Sequence, residues 1–438
     1  MLAAAAIFPQ GHAQSNGAAG DATDAGTPVV ITLNEAIRRA QASEPAYAAA
    51  VAASRTAGLD KSIAVAGLLP NVANFNEGIY TEPNGLHAPD GADLPRFIAN
   101  DGVREYFSQG VVNETLGLGP VAAVRHADAL AAMARAEQEI ARRGLVVAVT
   151  SLFYGSLAAD HKLVVAGQAR EEAGDFTKLT GQREQAREVA HADLLKAQLV
   201  EQQRDRDFED AKVAAEKARL DLGVLLFADP RTAYTLSAAE TGTPLPSKED
   251  VEQAAGRNNP ELKSALAALA ASNSDVLAAW GALLPNVGLN VTYGIDAPQF
   301  AANGPDGERN LGYSASVTVN VPVWDWLASE HKVKQSEIRR DAAQVALSAT
   351  QRRLIAQLEE AYSEANAARD QLASLDESVA DAAESLRLTK LRYTGGDALV
   401  LEVVDAENTF VSTENAREDG RVRYETARAK LETITGTM

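Results

Sequence analysis

The chain contains no cysteine in its 438 residues. That absence removes disulfides, thiolate metal ligands, cysteine nucleophiles and cysteine-linked lipid together. No stretch reaches the roughly 18 consecutive apolar residues a membrane-crossing helix needs, so any passage through lipid must be made by strands closed into a barrel. Aromatic residues are scarce at 5%, whereas charged residues make up 23% and alanine is abundant, a mix suited to long, closely packed helices. Lysine and arginine form no block that could grip a phosphate backbone, and a formal net charge of -19 repels one, which argues against nucleic acid as a partner. The six histidines, at 12, 87, 126, 161, 191 and 331, never fall at metal-ligand spacing. No nucleophile elbow, P-loop or dinucleotide fingerprint occurs, so the chain reads as a non-enzyme with no cofactor or metal.

Proline is also missing where it matters. Residues 121–229 and 323–438 contain none. An interior proline costs a helix about 3 kcal/mol, and loops of that length would be exceptional, so both runs read as very long helices. The second run carries a sustained heptad seam in alternating steps of four and three: Leu354, Leu358, Ala361, Ala365, Ala368, Leu372, Leu375, Val379, Ala382, Leu386, Thr389 and Tyr393. Gly395-Gly396 interrupt it, which predicts a turn back into a second helix.

The sequence is written twice. Leu68-Leu69-Pro70-Asn71-Val72 recurs as Leu283-Leu284-Pro285-Asn286-Val287, and Glu44-Pro45 recurs as Asn259-Pro260, both displaced by 215 residues. Tyr154 aligns with Tyr362 and Asp193 with Glu402 at offsets of 208 and 209. Between the helical runs lie segments of period two, such as Val287, Leu289, Val291, Tyr293, Ile295 and then Leu311, Tyr313, Ala315, Val317, Val319. These predict strands with one apolar and one polar face, joined by a Pro- and Gly-bearing loop. In copy one the alternation is poorer, and the strands are placed mainly by the repeat. Trp324 and Trp326 beside Pro322 fit an aromatic girdle or an ordinary packed corner.

The expected organisation follows. Residues 1–30 form a signal remnant and flexible lead-in, from an apolar stretch at Leu2 to Phe8 and an expected cleavage after Ala13. Repeat 1, 31–240, holds a helix at 32–69, strands at 71–81 and 103–117, and long helices at 121–185 and 190–228. Repeat 2, 246–438, holds a helix at 248–284, strands at 286–296 and 311–322, and long helices at 326–393 and 398–435. The fold class is mainly α with membrane β. Four strands cannot close a membrane barrel, since the smallest use about eight. Other copies must supply the rest, and the strand count alone does not choose three over two or four.

The duplicated order, the Leu-Leu-Pro-Asn-Val entry to each hairpin, and Arg392-Tyr393-x-x-Gly396 followed by Leu401-Glu402-Val403-Val404-Asp405-Ala406-Glu407 resemble the TolC-like outer-membrane efflux protein family, from about Ile31 to Gly436. The resemblance implies a homotrimer with a twelve-stranded β-barrel in outer-membrane lipid, continued by a coiled-coil α-helical tunnel in the periplasm. It implies an exit channel of a tripartite efflux system, passively conducting small molecules and docking to a periplasmic adaptor protein and an inner-membrane pump. An outlet for type I protein secretion in the same family stays open, as does a soluble coiled-coil scaffold. By position, Asp193, Glu402 and Asp405 match acids that ring the pore constriction, and Tyr393 matches a linking tyrosine. Arg183, Arg187, Arg392, Gly395 and Gly396 fall at the adaptor-facing tip. Copies of an acid around a narrow bore repel anions and attract cations. This sequence departs from the family in having Ala398 where a basic residue stands in the best-known member, Leu399 in place of a small hydroxyl residue, and Arg187 at the tip glycine of copy one. A closure with fewer ionic links, or one relying on Tyr393 and Arg187, is therefore expected.

Overall fold

A computed structural model describes residues 29–80, 89–91, 104–237 and 245–436. Residues 1–28 of the expected signal remnant and lead-in (1–30) and most of the loop after the first predicted strand lie outside the described residues, while Val29 and Val30 belong to a strand.

Each copy opens with a helix pair where the sequence predicts a single helix. Copy one has α1 (Leu33–Ser43) and α2 (Pro45–Ala66), and copy two has α5 (Lys248–Asn258) and α6 (Pro260–Gly281). The break has one cause in both. A residue before proline is kept out of the helical region by the proline ring, and Glu44 (ψ 116) and Asn259 (ψ 124) are extended. Each proline then starts the next helix, where its missing N–H costs nothing. Asn259 Oδ1 accepts from Leu262 N at 2.9 Å, capping α6.

The remaining elements are the hairpin β2 (Asn71–Tyr80) and β3 (Arg104–Leu116), then α3 (Leu118–Gln185) and α4 (His191–Leu226); in copy two they are β5 (Asn286–Ala297), β6 (Leu311–Asn320), α7 (Ala328–Gly395) and α8 (Val400–Thr435). Helix α3 begins ahead of Pro120, which sits in the first turn, where proline is tolerated. Helices α3 and α7 have 68 residues each, roughly 100 Å of rise. Their partners α4 and α8 have 36 each. Two short strands, β1 (Val29–Thr32) and β4 (Tyr234–Ser237), pair in parallel and were not foreseen; four residues are too few to show a period.

The strands form one open sheet in the order β2-β3-β5-β6, antiparallel throughout. The helices continuing from them keep that order, α2-α3-α6-α7. Farther along, α4 packs on the far half of α3, and α8 fits between α3 and α7. On β5 and β6, Leu289 faces Val317, Val291 faces Ala315 and Tyr293 faces Tyr313, giving one apolar face, while Thr292 and Ser314 lie on the other. Copy one is mixed. Val72 and Val112 share the apolar face with Asn76 and Ser108, which hydrogen-bond to each other at 2.8 Å. Phe75 and Phe107 lie on the opposite face, their rings 6.4 Å apart.

Three cores hold the helices. One packs Ile31, Leu145, Val149, Phe153, Leu222 and Tyr234, and its counterpart in copy two packs Val251, Leu354, Leu358, Tyr424 and Leu431. The third, at the tip, packs Phe176, Ala197, Tyr393, Val400, Val403 and Val404.

Candidate functional site at the helical tip

The two helical hairpins turn in the same way. In copy two, α7 ends on Gly396 at φ 87, with Gly396 N bonded to Tyr393 O and Asp397 N to Arg392 O. In copy one the same pair of bonds runs from Arg187 N to Glu184 O and from Glu188 N to Arg183 O, and Arg187 takes the left-handed conformation, φ 64. This is a helix ending that favours glycine. Gly395 has ordinary helical backbone, so the constraint in copy two falls on Gly396 alone.

Asp193 and Glu402 hold equivalent places in the first turns of α4 and α8, where each accepts from the backbone ahead of its helix. Ala190 N donates to Asp193 Oδ2 at 3.3 Å, and Leu399 N to Glu402 Oε1 at 3.1 Å. A carboxylate there also meets the positive end of the helix dipole. Glu402 further receives Arg392 Nη1 at 3.2 Å, while Arg392 Nη2 donates to Asp397 O at 3.0 Å and so braces the turn. Asp405 is exposed and shares with Glu402 a hollow of about 250 Å³, also lined by Ser385, Thr389 and Thr409. Val400, Val403 and Val404 lie on the buried side of the helix.

Tyr393 is the buried member, 2% exposed. Its hydroxyl lies 3.2 Å from Thr180 Oγ1. Because the Thr180 hydroxyl donates its one proton to Phe176 O at 2.8 Å, the tyrosine is the donor of the pair. The Phe176 ring packs against it at 5.0 Å, and the Arg183 guanidinium stands 4.7 Å from the tyrosine ring centre. Arg183 also donates Nη1 to Tyr393 O at 2.7 Å and Nη2 to Thr394 O at 2.9 Å. A cation is thereby placed on the carbonyl end of α7. Tyr393, Arg183 and the turn at Gly396 thus come together, and Glu402 joins them through Arg392. Asp193 and Asp405 stand apart from this cluster, and Arg187 serves as a backbone turn residue. Sequence reasoning missed Thr180 and Phe176, since a threonine and a phenylalanine one turn apart look like ordinary helix packing.

Against this geometry, known proteins compare as follows. Residues 251–437 match the model of the outer membrane efflux protein family. The second copy is thus similar to that family. The chain is similar to the outer membrane protein OprJ of Pseudomonas aeruginosa, 24% identical over 39% of this chain and 36% of the relative. It is also similar to the outer membrane efflux protein BepC of Brucella suis, 26% identical over 66% of this chain and 60% of the relative. The chain therefore spans about a third to three fifths of the length of these curated relatives. In fold it is similar to the outer membrane protein VceC of Vibrio cholerae, with a TM-score of 0.75 and 16% identity over 92% of this chain and 96% of that one.

Proposed function

We propose that the protein is the outer-membrane exit channel of a tripartite efflux system, passively conducting small molecules delivered by an inner-membrane pump through a periplasmic adaptor protein. The observation that carries this reading is the open sheet. Among the described residues its outer strands, β2 and β6, each have one edge without a partner, and an open edge is untenable in lipid. Three copies joined edge to edge give a twelve-stranded barrel.

The helices support the same assembly. On α4 the buried positions Ala197, Arg204, Ala215 and Leu222 lie on one side, and exposed Leu195, Leu199, Val213, Leu220 and Val224 lie on the opposite side. Helix α7 likewise exposes Ile338, Val345 and Leu388 away from its buried seam. Since α2 and α4 flank one side of the protomer and α7 the other, a neighbouring copy buries both stripes.

At the mouth, Asp193, Glu402 and Asp405 supply acidic rings that favour cations, and the Tyr393-Thr180-Arg183 cluster keeps the hairpins closed. Crosslinked mass and planar-bilayer conductance test the reading together. A trimer of cation-preferring channels is expected, whereas a water-soluble monomer that carries no current would refute it.

A further inference from the structure

One turn above Tyr393 lies a charged cluster that the reading above leaves unused. Lys390 on α7 hydrogen-bonds through Nζ to Glu172 on α3, and the same Nζ stands 3.3 Å from Glu407 Oε1 on α8. Glu172 is exposed on copy one's hairpin, but Glu407 is only 4% exposed. It borders a small, mostly apolar void of about 20 Å³ lined by Val165, Ala169, Leu386, Phe410 and Val411 together with Gln168 and Glu172. A void of that size holds no more than about one water. One water offsets little of a full charge, and Lys390 is the cation at hand. Beside it, Arg204 of α4, itself buried, donates to Asn408 Oδ1 at 2.6 Å, so the polar level continues into the fourth helix.

We propose that Lys390 is a positioning residue that pins copy two's hairpin onto copy one's above the mouth, by holding one carboxylate from α3 and one buried carboxylate from α8. Helices α3 and α7 are largely separated by α8 and α6, and their direct side-chain links among the described residues gather at this end: Glu172 with Lys390, and Thr180 and Arg183 with Tyr393. The Tyr393 links are a hydroxyl hydrogen bond, a guanidinium over the ring and bonds to backbone, with no carboxylate among them. Among the described residues Lys390 alone joins two carboxylates from two helices, and a buried acid left without its cation disfavours the packed state strongly. Consistent with that, burial pushes the Glu407 carboxyl up, against the pull of Lys390 and the weaker pull of Arg204, while Glu172 adds to the rise.

This inference rests on the channel reading, and its test separates the two. The full-length protein is measured in planar bilayers as wild type, K390M and K390R, and by hydrogen exchange of amides 386–395. Expected are a several-fold rise in closed-state conductance and faster exchange in K390M, with both returning toward wild type in K390R. Unchanged conductance and exchange in K390M would overturn the proposal. If K390M fails to reach the membrane, E172Q takes its place: a smaller rise in both signals supports the pin, and no change overturns it. A wild-type protein that carries no current defeats the channel reading instead, and exchange in K390M then decides the role of Lys390.

Discussion

Arg187 and Gly396 stand 209 positions apart and close their helices with the same backbone turn, at φ 64 and φ 87. Only glycine enters that region without steric cost, so copy one carries strain that copy two avoids. Arg187→Gly is expected to stabilise the folded chain by about 0.5–1 kcal/mol, and Gly396→Ala to destabilise it by about 1 kcal/mol. Opposite shifts in thermal midpoint check the pair.

Tyr393→Phe removes the donor that Thr180 Oγ1 accepts in a buried place. A lost hydrogen bond of this kind costs about 1 kcal/mol, equivalent to roughly a fivefold shift between closed and open mouths. Closed-state conductance should rise by about that factor. Unchanged conductance in both Tyr393→Phe and Asp193→Ala would show that neither residue holds the mouth.

The two faces of β6 should respond differently to charge. Val317 lies on the apolar face opposite Leu289, and Ser316 on the polar face opposite Asn290. Arginine toward lipid near the middle of a strand costs about 2–4 kcal/mol, so Val317→Arg should reduce the folded, membrane-inserted fraction. Ser316→Arg should insert normally and shift ion selectivity toward anions. Heat-modifiability on gels and reversal potentials read the two outcomes.

Acid acts on the helical body in two opposing ways. Glu139 grips Arg142 and, less strongly, Arg143, which lowers its carboxyl to about 2. Its stabilisation is complete above the unfolded value of roughly 4.3 and is lost as pH falls from there toward 2. Glu425 and Glu432 are pushed up by burial, against the pull of Arg428. Each costs stability while ionised and returns it on protonation, as pH falls through its raised value. The melting temperature should therefore climb as pH drops from neutral and fall again below about 4.3. Glu425→Gln should flatten the climb, and Glu139→Gln should blunt the fall.

The long helices were legible because proline marks what a helix excludes. Every position of the seam from Leu354 to Tyr393 is buried or half-buried. The strands of copy two were legible because each face has one character, whereas in copy one apolar residues such as Phe75 and Val72 fall on both faces and blur the period. The breaks at Glu44-Pro45 and Asn259-Pro260 were visible as repeats, yet their neighbours are such good helix formers that a continuous helix was expected. At the helical tip, the sequence singles out Tyr393 and the acids only through the resemblance. It could not show that Thr180 would meet the tyrosine hydroxyl across 213 residues, or that Arg183 would sit on the end of α7. Those pairings depend on how two hairpins lie side by side, which no local pattern encodes.

Helix α3 starts directly after β3, and α7 follows β6 through a corner with Trp326 and Leu327 in the left-handed region; both then run unbroken to the helical tip, whereas α4 and α8 stop partway, at the extended Phe227 and the left-handed Gly436. A sideways force at the mouth therefore meets two continuous beams and two shorter struts that end at one height. Bending is therefore easiest near that height, so the helical tip can swing while the sheet at the other end keeps its pairing, as a hinged strut moves below a fixed collar.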